Sequence, residues 1–500
     1  MLAEKDIMKL QNGSDVRGIA VEGVEGENVN LTTEAVNRIA SGFVEFLSKK
    51  LNKSKNELKI AIGNDSRISA PKIKEAAVKA LVSGGVQVLD CGLASTPAMF
   101  MSIIFSETKV DGSIMLTASH LPFNRNGMKF FTKDGGLEKE NIKEVLQNAT
   151  KVKEVDADIS NIKKFDLISL YSEHLCKIIR DKLNFGDKPL GGMHVVVDAG
   201  NGGGGFFANK VLEPLGADIR GSQFLDPDGM FPNHIPNPED KKAMAAIKEA
   251  VIKNKADLGL IFDTDVDRMS AVLNDGEEVN RNALIAMMAA ILAPDYPGST
   301  IVTDSVTSDG LQKFLEGDLK LKHHRFKRGY KNVINECIKL NKSGVVSPLA
   351  IETSGHGALS ENYYLDDGAY LAVKLLIAAA KAFKEGKNLA TLIEKLEYPV
   401  EAVEYRLKIA EEDFRSYGEK VLQEFTKRAK EKGIKFAEPN FEGVRLVFEN
   451  GWALLRLSLH DPNMPLNIES SVKGGCKVIA DQIKDLVSGF DGLDISVFDK

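Results

Sequence analysis

The sequence predicts an α/β protein of four domains, three of similar α/β topology followed by a smaller α+β domain. Three observations carry this expectation. An apolar strand, a polar turn holding an Asp, a helix and a second strand recur three times along the chain. The copies lie too far apart to be solenoid repeats, so they read as repeated domains. The tail follows a different order, and 500 residues fit about three or four ordinary domains.

The first copy is a strand over 58–63, the turn Asn64-Asp65-Ser66, a helix over 71–82 and a strand over 86–90. Pro71 suits a first helical turn, where its missing N–H costs nothing. The second copy is a strand over 194–197, Asp198-Ala199-Gly200, a helix over 206–215 and a strand over 217–224. The third is a strand over 300–303, Asp304-Ser305, a helix over 308–315 and a strand over 319–326. In the tail, Val400, Ala402, Val403, Tyr405 and Leu407 predict a strand, followed by a charged helix over 411–432. Strands over 444–448 and 452–459 and a helix over 477–487 complete it. The expected domains are 1–160, 161–277, 278–397 and 398–500.

Composition narrows the function. Hydrophobic residues are 43% and charged residues 27%, as in globular proteins, which excludes disordered, collagen-like and disulfide-scaffold classes. Lys+Arg 65 against Asp+Glu 71 gives −6, a poor balance for gripping a phosphate backbone, so no nucleic-acid partner is expected. The most apolar run, 283–293, is 11 residues, short of the ~18–20 that span a bilayer, and no membrane partner is expected. Cys91, Cys176, Cys337 and Cys476 form no metal-binding spacing and read as free thiols in a reducing compartment. The first 15 residues carry Glu4, Lys5, Asp6 and Lys9 and no apolar signal core, so a cytoplasmic location is expected.

The sharpest chemical feature is Asp263-Thr264-Asp265-Val266-Asp267-Arg268 after the apolar strand 258–262. In extended backbone Asp263, Asp265 and Asp267 would point the same way. Carboxylates so placed repel one another unless a cation joins them, and hard oxygen ligands select Mg²⁺ or Ca²⁺. An EF-hand is excluded, because Arg268 and Asn274 stand where it needs Gly and Glu. The plain alternative is a solvated acidic turn, which the apolar strand in front and the Arg behind disfavour.

Three further loops carry weaker signals. Thr117-Ala118-Ser119-His120-Leu121-Pro122 continues through Asn124, Asn126 and Gly127 to Lys129. It offers a hydroxyl nucleophile, although a decorated loop explains Ser-His adjacency as well, and no G-x-S-x-G surrounds Ser119. Glu352-Thr353-Ser354-Gly355-His356-Gly357 could bond several sugar hydroxyls, or be a polar turn. Arg456 and Ser458 alternate along the expected last strand and suit a phosphate, or are surface residues. Gly200, Gly202 and Gly205 satisfy G-x-G-x-x-G, with Asp226 beyond them, which is the basis of a dinucleotide-dependent oxidoreductase reading. Phe206-Phe207 stand where a Walker loop needs Lys and Ser/Thr.

Taken together, the loops resemble those of the α-D-phosphohexomutase superfamily, which holds phosphoglucomutases, phosphomannomutases and phosphoglucosamine mutases. Thr117 to Pro122 resembles its T-A-S-H-N-P, with Leu121 in place of Asn. Asp263 to Arg268 matches its D-x-D-x-D-R. Glu352 to His356 is similar to its G-E-x-S-G-H, with Ile351 in place of Gly. Gly13 to Gly18 resembles G-T-D-x-R-G, and Asp228 to Pro238 resembles D-G-x-F-P-x-H-x-P-N-P.

The resemblance implies four domains around a central cleft, each giving it one loop. It implies interconversion of hexose 1-phosphate and hexose 6-phosphate, of glucose and/or mannose, through phosphorylated Ser119. A hexose 1,6-bisphosphate serves as intermediate and activator. Ser119, Asp263, Asp265 and Asp267 would hold Mg²⁺, while Arg17 and Arg268 would steady the transferring group. His120 and Lys129 are the acid/base candidates. Lys327, Glu352, Ser354 and His356 would contact the sugar, and Arg456 and Ser458 the idle phosphate. The hexose phosphate is the one partner implied, with the chain a monomer or homodimer. Leu121, Leu459 and His460 depart from the family pattern, where S-N-T or S-G-T follows the phosphate Arg. Two rivals therefore stand beside the main reading: a phosphoglucosamine mutase, and a regulatory sugar-phosphate binder without turnover.

Overall fold

The computed structural model describes residues 3–458 and 461–499. The departures at Leu459 and His460 lie outside the described residues. The chain divides into two compact units. The first runs to Ile291 and takes in Ser354–Leu392, and the second holds Leu292–Thr353 and the chain from Ile393 on.

The first unit is built on two sheets. In the larger, the apolar strands Lys59–Asn64 and Gly112–Leu116 are parallel neighbours, flanked by Gln87–Leu93 on one side and Arg125–Thr132 on the other. Helices Thr33–Leu51, Ala70–Ser83 and Lys139–Thr150 bury Phe43, Ile73 and Val145 in one continuous core with these strands. The second sheet orders Glu278–Val279, Met269–Leu273, Leu258–Phe262 and Val195–Asp198. Its central strands are buried along their whole length, as their unbroken apolar runs require.

The second unit carries a parallel trio, Lys322–Arg325, Thr300–Thr303 and Leu349–Ile351. It also carries a 6-stranded sheet whose strands Glu401–Ile409, Asn463–Ser470, Gly451–Leu455 and Val444–Phe448 are antiparallel neighbours. Helices Phe414–Glu431 and Gly475–Val487 share a core with that sheet.

Several elements depart from expectation. The strand expected over 217–224 is reduced to two isolated bridges, His194 to Asp218 and Asp198 to Gln223. Gly221 and Phe224 both take positive φ there, which breaks a ladder. The helix expected over 206–215 is a π-type turn, Phe207–Leu212, running into a 3₁₀ turn with Pro214 inside it. The one expected over 308–315 is the short helix Asp309–Lys313, capped by Ser308, and a second π-type turn. The strand expected over 452–459 stops at Leu455. Arg456 and Ser458 therefore lie past its end, although Arg456 N–H still reaches Pro465 O (3.1 Å) and Ser458 N–H reaches Asn463 O (3.0 Å). Strand Asn463–Ser470 was hidden by Pro462 and Pro465, which read as turn residues.

Among the described residues no helix is long and apolar enough to cross a membrane. All four cysteines are buried and free.

A buried charged cluster in the second unit yields a test. The Arg445 guanidinium lies 3.6 Å from the ring centre of Trp452, and its Nη2 donates to Asp309 (2.8 Å). Trp452 Nε1 donates to Glu469 Oε2 (3.0 Å). Burial pushes the Glu469 carboxyl up to about 7, against the pull of Trp452, Arg445 and Arg325 and with the help of Asp309. The folded state thus holds this proton to higher pH than the unfolded state. Its stabilising contribution is complete below about pH 4.5 and lost as pH rises to about 7. Relative to Glu469→Gln, the wild type should lose stability across that window, on the order of 3 kcal/mol. The chain has a single tryptophan, so the emission of Trp452 should titrate near pH 7 in the wild type and not in the variant.

Candidate active site

The acidic loop gathers its carboxylates by a turn rather than by an extended strand. Strand Leu258–Phe262 ends at Asp263, whose N–H donates to Arg268 O (3.3 Å) and whose O accepts from Val266 N–H (3.3 Å). Val266 takes φ +65°, a left-handed conformation that a β-branched residue rarely holds. The loop is held from outside instead. Gly368 N–H donates to Val266 O (3.1 Å), and a Cβ on Gly368 would lie 2.6 Å from Arg268 C. Asp367 caps the helix Gly368–Lys384 that follows and is itself gripped by Tyr171 Oη at 2.7 Å.

The turn brings ligand atoms of Asp263, Asp265 and Asp267 within 4.8 Å of one another, all buried. Ser119 joins them. Its Oγ donates to Asp263 Oδ2 (2.9 Å) and accepts from Arg268 Nη2 (2.9 Å). Lys129 Nζ pairs with Asp265 Oδ2 (2.9 Å) and Asp267 Oδ2 (2.5 Å). Arg17 Nη1 donates to Ala118 O (3.1 Å), and its Nη2 pairs with Asp15 (2.9 Å). His356 Nδ1 lies 2.6 Å from Asp366 Oδ2 and 3.7 Å from Asp267 Oδ1. Ser354 precedes Gly355, whose O accepts from Met269 N–H (3.3 Å).

The electrostatics follow from burial and partners. Burial, then the charge of Asp267, pushes the Asp263 carboxyl well above its ordinary range. Burial would also raise Asp267, but Lys129, His356 and Arg268 outweigh it and hold that carboxyl down. Burial, with Arg268 and Arg17 nearby, lowers His120 to about 2, so its ring is neutral. Arg268 Nη2 donates to His120 Nδ1 (2.6 Å), which leaves the ring proton on Nε2. For His356, Asp366 and Asp267 overcome burial and lift it to about 9, a cation.

A divalent cation fits this donor set. Asp265 Oδ1 and Asp267 Oδ1 are buried and accept no hydrogen bond from the protein, and the ligands are hard oxygens.

The remaining expected residues belong to the second unit. Glu352 Oε1 accepts from Gly329 N–H (2.6 Å), and Lys327 just before that turn is exposed. Arg456 is buried, and burial and the Arg328 charge lower its pKa against the pull of Glu442 and Glu404. Among the described residues its Nε meets no hydrogen-bond acceptor. Ser458 Oγ accepts from Asp461 N–H (3.2 Å).

The glycine run has a structural use. Gly203 N–H donates to Thr264 O (2.7 Å), and a Cβ on Gly202 would meet Thr264 Cα at 2.8 Å. At Gly205 it would meet Leu225 O at 2.3 Å, and at Gly200 the Pro236 ring at 2.8 Å. Protein backbone fills the space that a pyrophosphate would need.

Comparison with known proteins agrees with this geometry. Residues 8–156, 170–276 and 280–398 match, in order, α/β/α domains I, II and III of the phosphoglucomutase/phosphomannomutase family. A phosphomannomutase/phosphoglucomutase of Pseudomonas putida is 30% identical over 426 residues, covering 83% of this chain and 84% of the relative. The chain belongs to the phosphoglucomutase/phosphomannomutase family.

A phosphoglucomutase of Neisseria meningitidis is 28% identical, with 97% of each chain covered. A protein of Methanosarcina barkeri named probable phosphoglucosamine mutase is 29% identical, with 93% of this chain and 95% of that one covered. Among solved structures, a family protein from Burkholderia thailandensis superposes with TM-score 0.78 at 23% identity over 98% of both chains, a likeness of fold.

Two residues of this buried cluster escaped the sequence reading. Thr96 N–H donates to Asp265 O (2.8 Å) and its Oγ1 to Asp265 Oδ2 (2.5 Å). Asp366 orients His356. Ser95-Thr96-Pro97 had been readable only as a helix start, and Asp366-Asp367 as a polar turn. The packed glycine run predicts two outcomes. Calorimetric titration with NAD should give no binding heat. Gly202→Ala should lower stability by about 1–3 kcal/mol in urea unfolding, because the added methyl has no space.

Proposed function

We propose that the chain is a phosphohexomutase that interconverts hexose 1-phosphate and hexose 6-phosphate, of glucose and/or mannose. The observation that carries this is Ser119 Oγ, buried and bonded to both Asp263 and Arg268. A hydroxyl so fixed can carry a phosphoryl group at one defined point.

Ser119 would be phosphorylated in the resting enzyme. A sugar monophosphate hydroxyl gives its proton to a base and attacks that phosphorus, the Ser119 O–P bond breaks and the Ser119 oxygen takes up a proton, and a hexose 1,6-bisphosphate forms. After the sugar turns around, the Ser119 hydroxyl attacks its other phosphate and releases the isomer. Asp263, Asp265 and Asp267, with a Ser119 phosphate oxygen, would hold Mg²⁺, which when bound neutralises charge on the transferring group. Arg268 steadies the same group, with Arg17 beside it. His120, the first acid/base candidate, is neutral with its proton on Nε2, so in this state it offers a reacting oxygen a hydrogen bond and would have to take up a proton before giving one. Lys129 is the second acid/base candidate and already braces Asp265 and Asp267. In the second unit, Arg456 and Ser458 would hold the idle phosphate, with Lys327 and Glu352 on the sugar. Ser354 and His356 complete the assigned contacts, His356 as a cation. We assign domains to 1–160, 161–277, 278–397 and 398–500, and a cytoplasmic monomer or homodimer.

Four measurements test this reading. Protein purified from cells should carry one phosphoryl group, mapped to Ser119 by mass spectrometry. Ser119→Ala should lose turnover by about 10³-fold or more, with Mg²⁺ and bisphosphate present. Full activity in that variant would refute the reading. Chelation should abolish turnover and Mg²⁺ restore it. A coupled assay on glucose, mannose and glucosamine 1-phosphates assigns the sugar, and binding without turnover of any would favour a regulatory binder.

A further inference from the structure

Arg67 lies on the turn after strand Lys59–Asn64, and its side chain is fully buried. Its partners are four carbonyls of one loop. Nη1 donates to Pro122 O (2.7 Å) and Arg125 O (2.9 Å). Nη2 donates to Leu121 O (2.6 Å) and to Ser119 O. All four terminal N–H groups of the guanidinium are thus spent on the loop that bears the nucleophile. Its Nε faces Asp65 Oδ2 (3.3 Å), and Asp65 Oδ1 accepts from Arg67 N–H (3.0 Å). The charge is therefore answered locally.

The loop needs such a clamp. Ser119 takes φ +51°, a conformation that costs a non-glycine residue about 1–3 kcal/mol. A planar fork bonded to the carbonyls of 119, 121, 122 and 125 fixes that backbone, and with it the direction of Ser119 Oγ. A second segment closes the clamp from above. The Phe231 ring centre lies 5.3 Å from Arg67 Cζ. Gly229 lets its backbone lie on the 66–68 turn, where a Cβ would meet Ile68 N at 2.4 Å and Ser66 O at 2.5 Å. That segment is tied down in turn, since Asp228 N–H donates to Asn201 O (2.9 Å).

We propose that Arg67 is a positioning residue for phosphoryl transfer: it holds the backbone of 119–125 so that Ser119 Oγ meets the phosphorus in line. The proposal rests on the mutase reading and adds a residue that touches neither substrate nor metal.

The test compares the wild type with Arg67→Lys and Arg67→Ala in the full chain. Three quantities are read: the rate at which glucose 1,6-bisphosphate phosphorylates Ser119 in a single turnover of enzyme first stripped of its phosphoryl group, followed by intact mass; kcat and KM for glucose 1-phosphate; and the thermal midpoint. A lysine is a point charge and cannot span four carbonyls. Arg67→Lys should therefore phosphorylate about a hundredfold more slowly, the loss expected of a misplacement near 1 Å. kcat should fall in parallel while KM stays within about twofold, as expected when an interaction specific to the transition state is lost. Guanidinium ion, and not ammonium, should restore part of the rate to Arg67→Ala.

Arg67→Lys phosphorylating at the wild-type rate would overturn the proposal. So would a loss in both variants that follows only the folded fraction and ignores guanidinium. A wild type that accepts no phosphoryl group would refute the mutase reading itself, and the clamp with it.

Discussion

Burying three carboxylates on one six-residue turn is the constraint around which the first unit is organised. Each buried charge must be paired or joined to a cation. Asp263, Asp265 and Asp267 are met by Arg268 from their own turn, Lys129 from strand Arg125–Thr132 and Thr96 from a helix start. His356 arrives on a loop more than eighty positions further along the chain. These partners come from four separate stretches of sequence. The sheets and helices that carry them must therefore be rigid before the site can exist.

The same constraint explains the glycines. A turn with Val266 at positive φ is costly and has to be over-determined by its surroundings. Gly202 and Gly203 on one side and Gly368 on the other bring backbone directly against Thr264, Val266 and Arg268. A side chain at Gly202 or Gly368 would push the turn away. In the sequence the run of glycines at 200–205 mimics a nucleotide fingerprint. In the fold its concavity is occupied by the acidic turn and by Leu225 and Pro236.

The legible parts of the sequence were those set by local rules. Strands 58–63, 194–197, 258–262, 300–303 and 444–448 were readable from apolar runs, each within a residue or so of its observed bounds. The convergence of the three Asp residues was also foreseen, though for the wrong local reason: a turn, and not strand alternation, brings them together. What stayed hidden depends on contacts distant in sequence. Neither the unwinding at Phe207–Leu212 nor the pairing of Pro465 inside a strand has a local signal. Arg67 gave none either, because a polar turn ending in Arg looks the same whether that Arg is solvated or wholly spent on another loop.

The charges of the first unit also limit the order in which its site can fill. Asp263, Asp265, Asp267 and Asp366 face the cations Arg268, Lys129 and His356, while Arg17 is answered by Asp15 and His120 is neutral. With every carboxyl ionised the cluster would carry one negative charge too many, and the upward push on Asp263 relieves it. A phosphoryl group on Ser119 would add about −1.5 to −2 at neutral pH, and a divalent cation alone would leave an excess of positive charge. Either addition by itself moves a buried site further from neutrality or reverses its sign. The two together return it to about one negative charge, the balance of the fully ionised cluster. On the mutase reading, phosphorylation of Ser119 and cation binding at the aspartates would therefore be electrostatically coupled, each favouring the other.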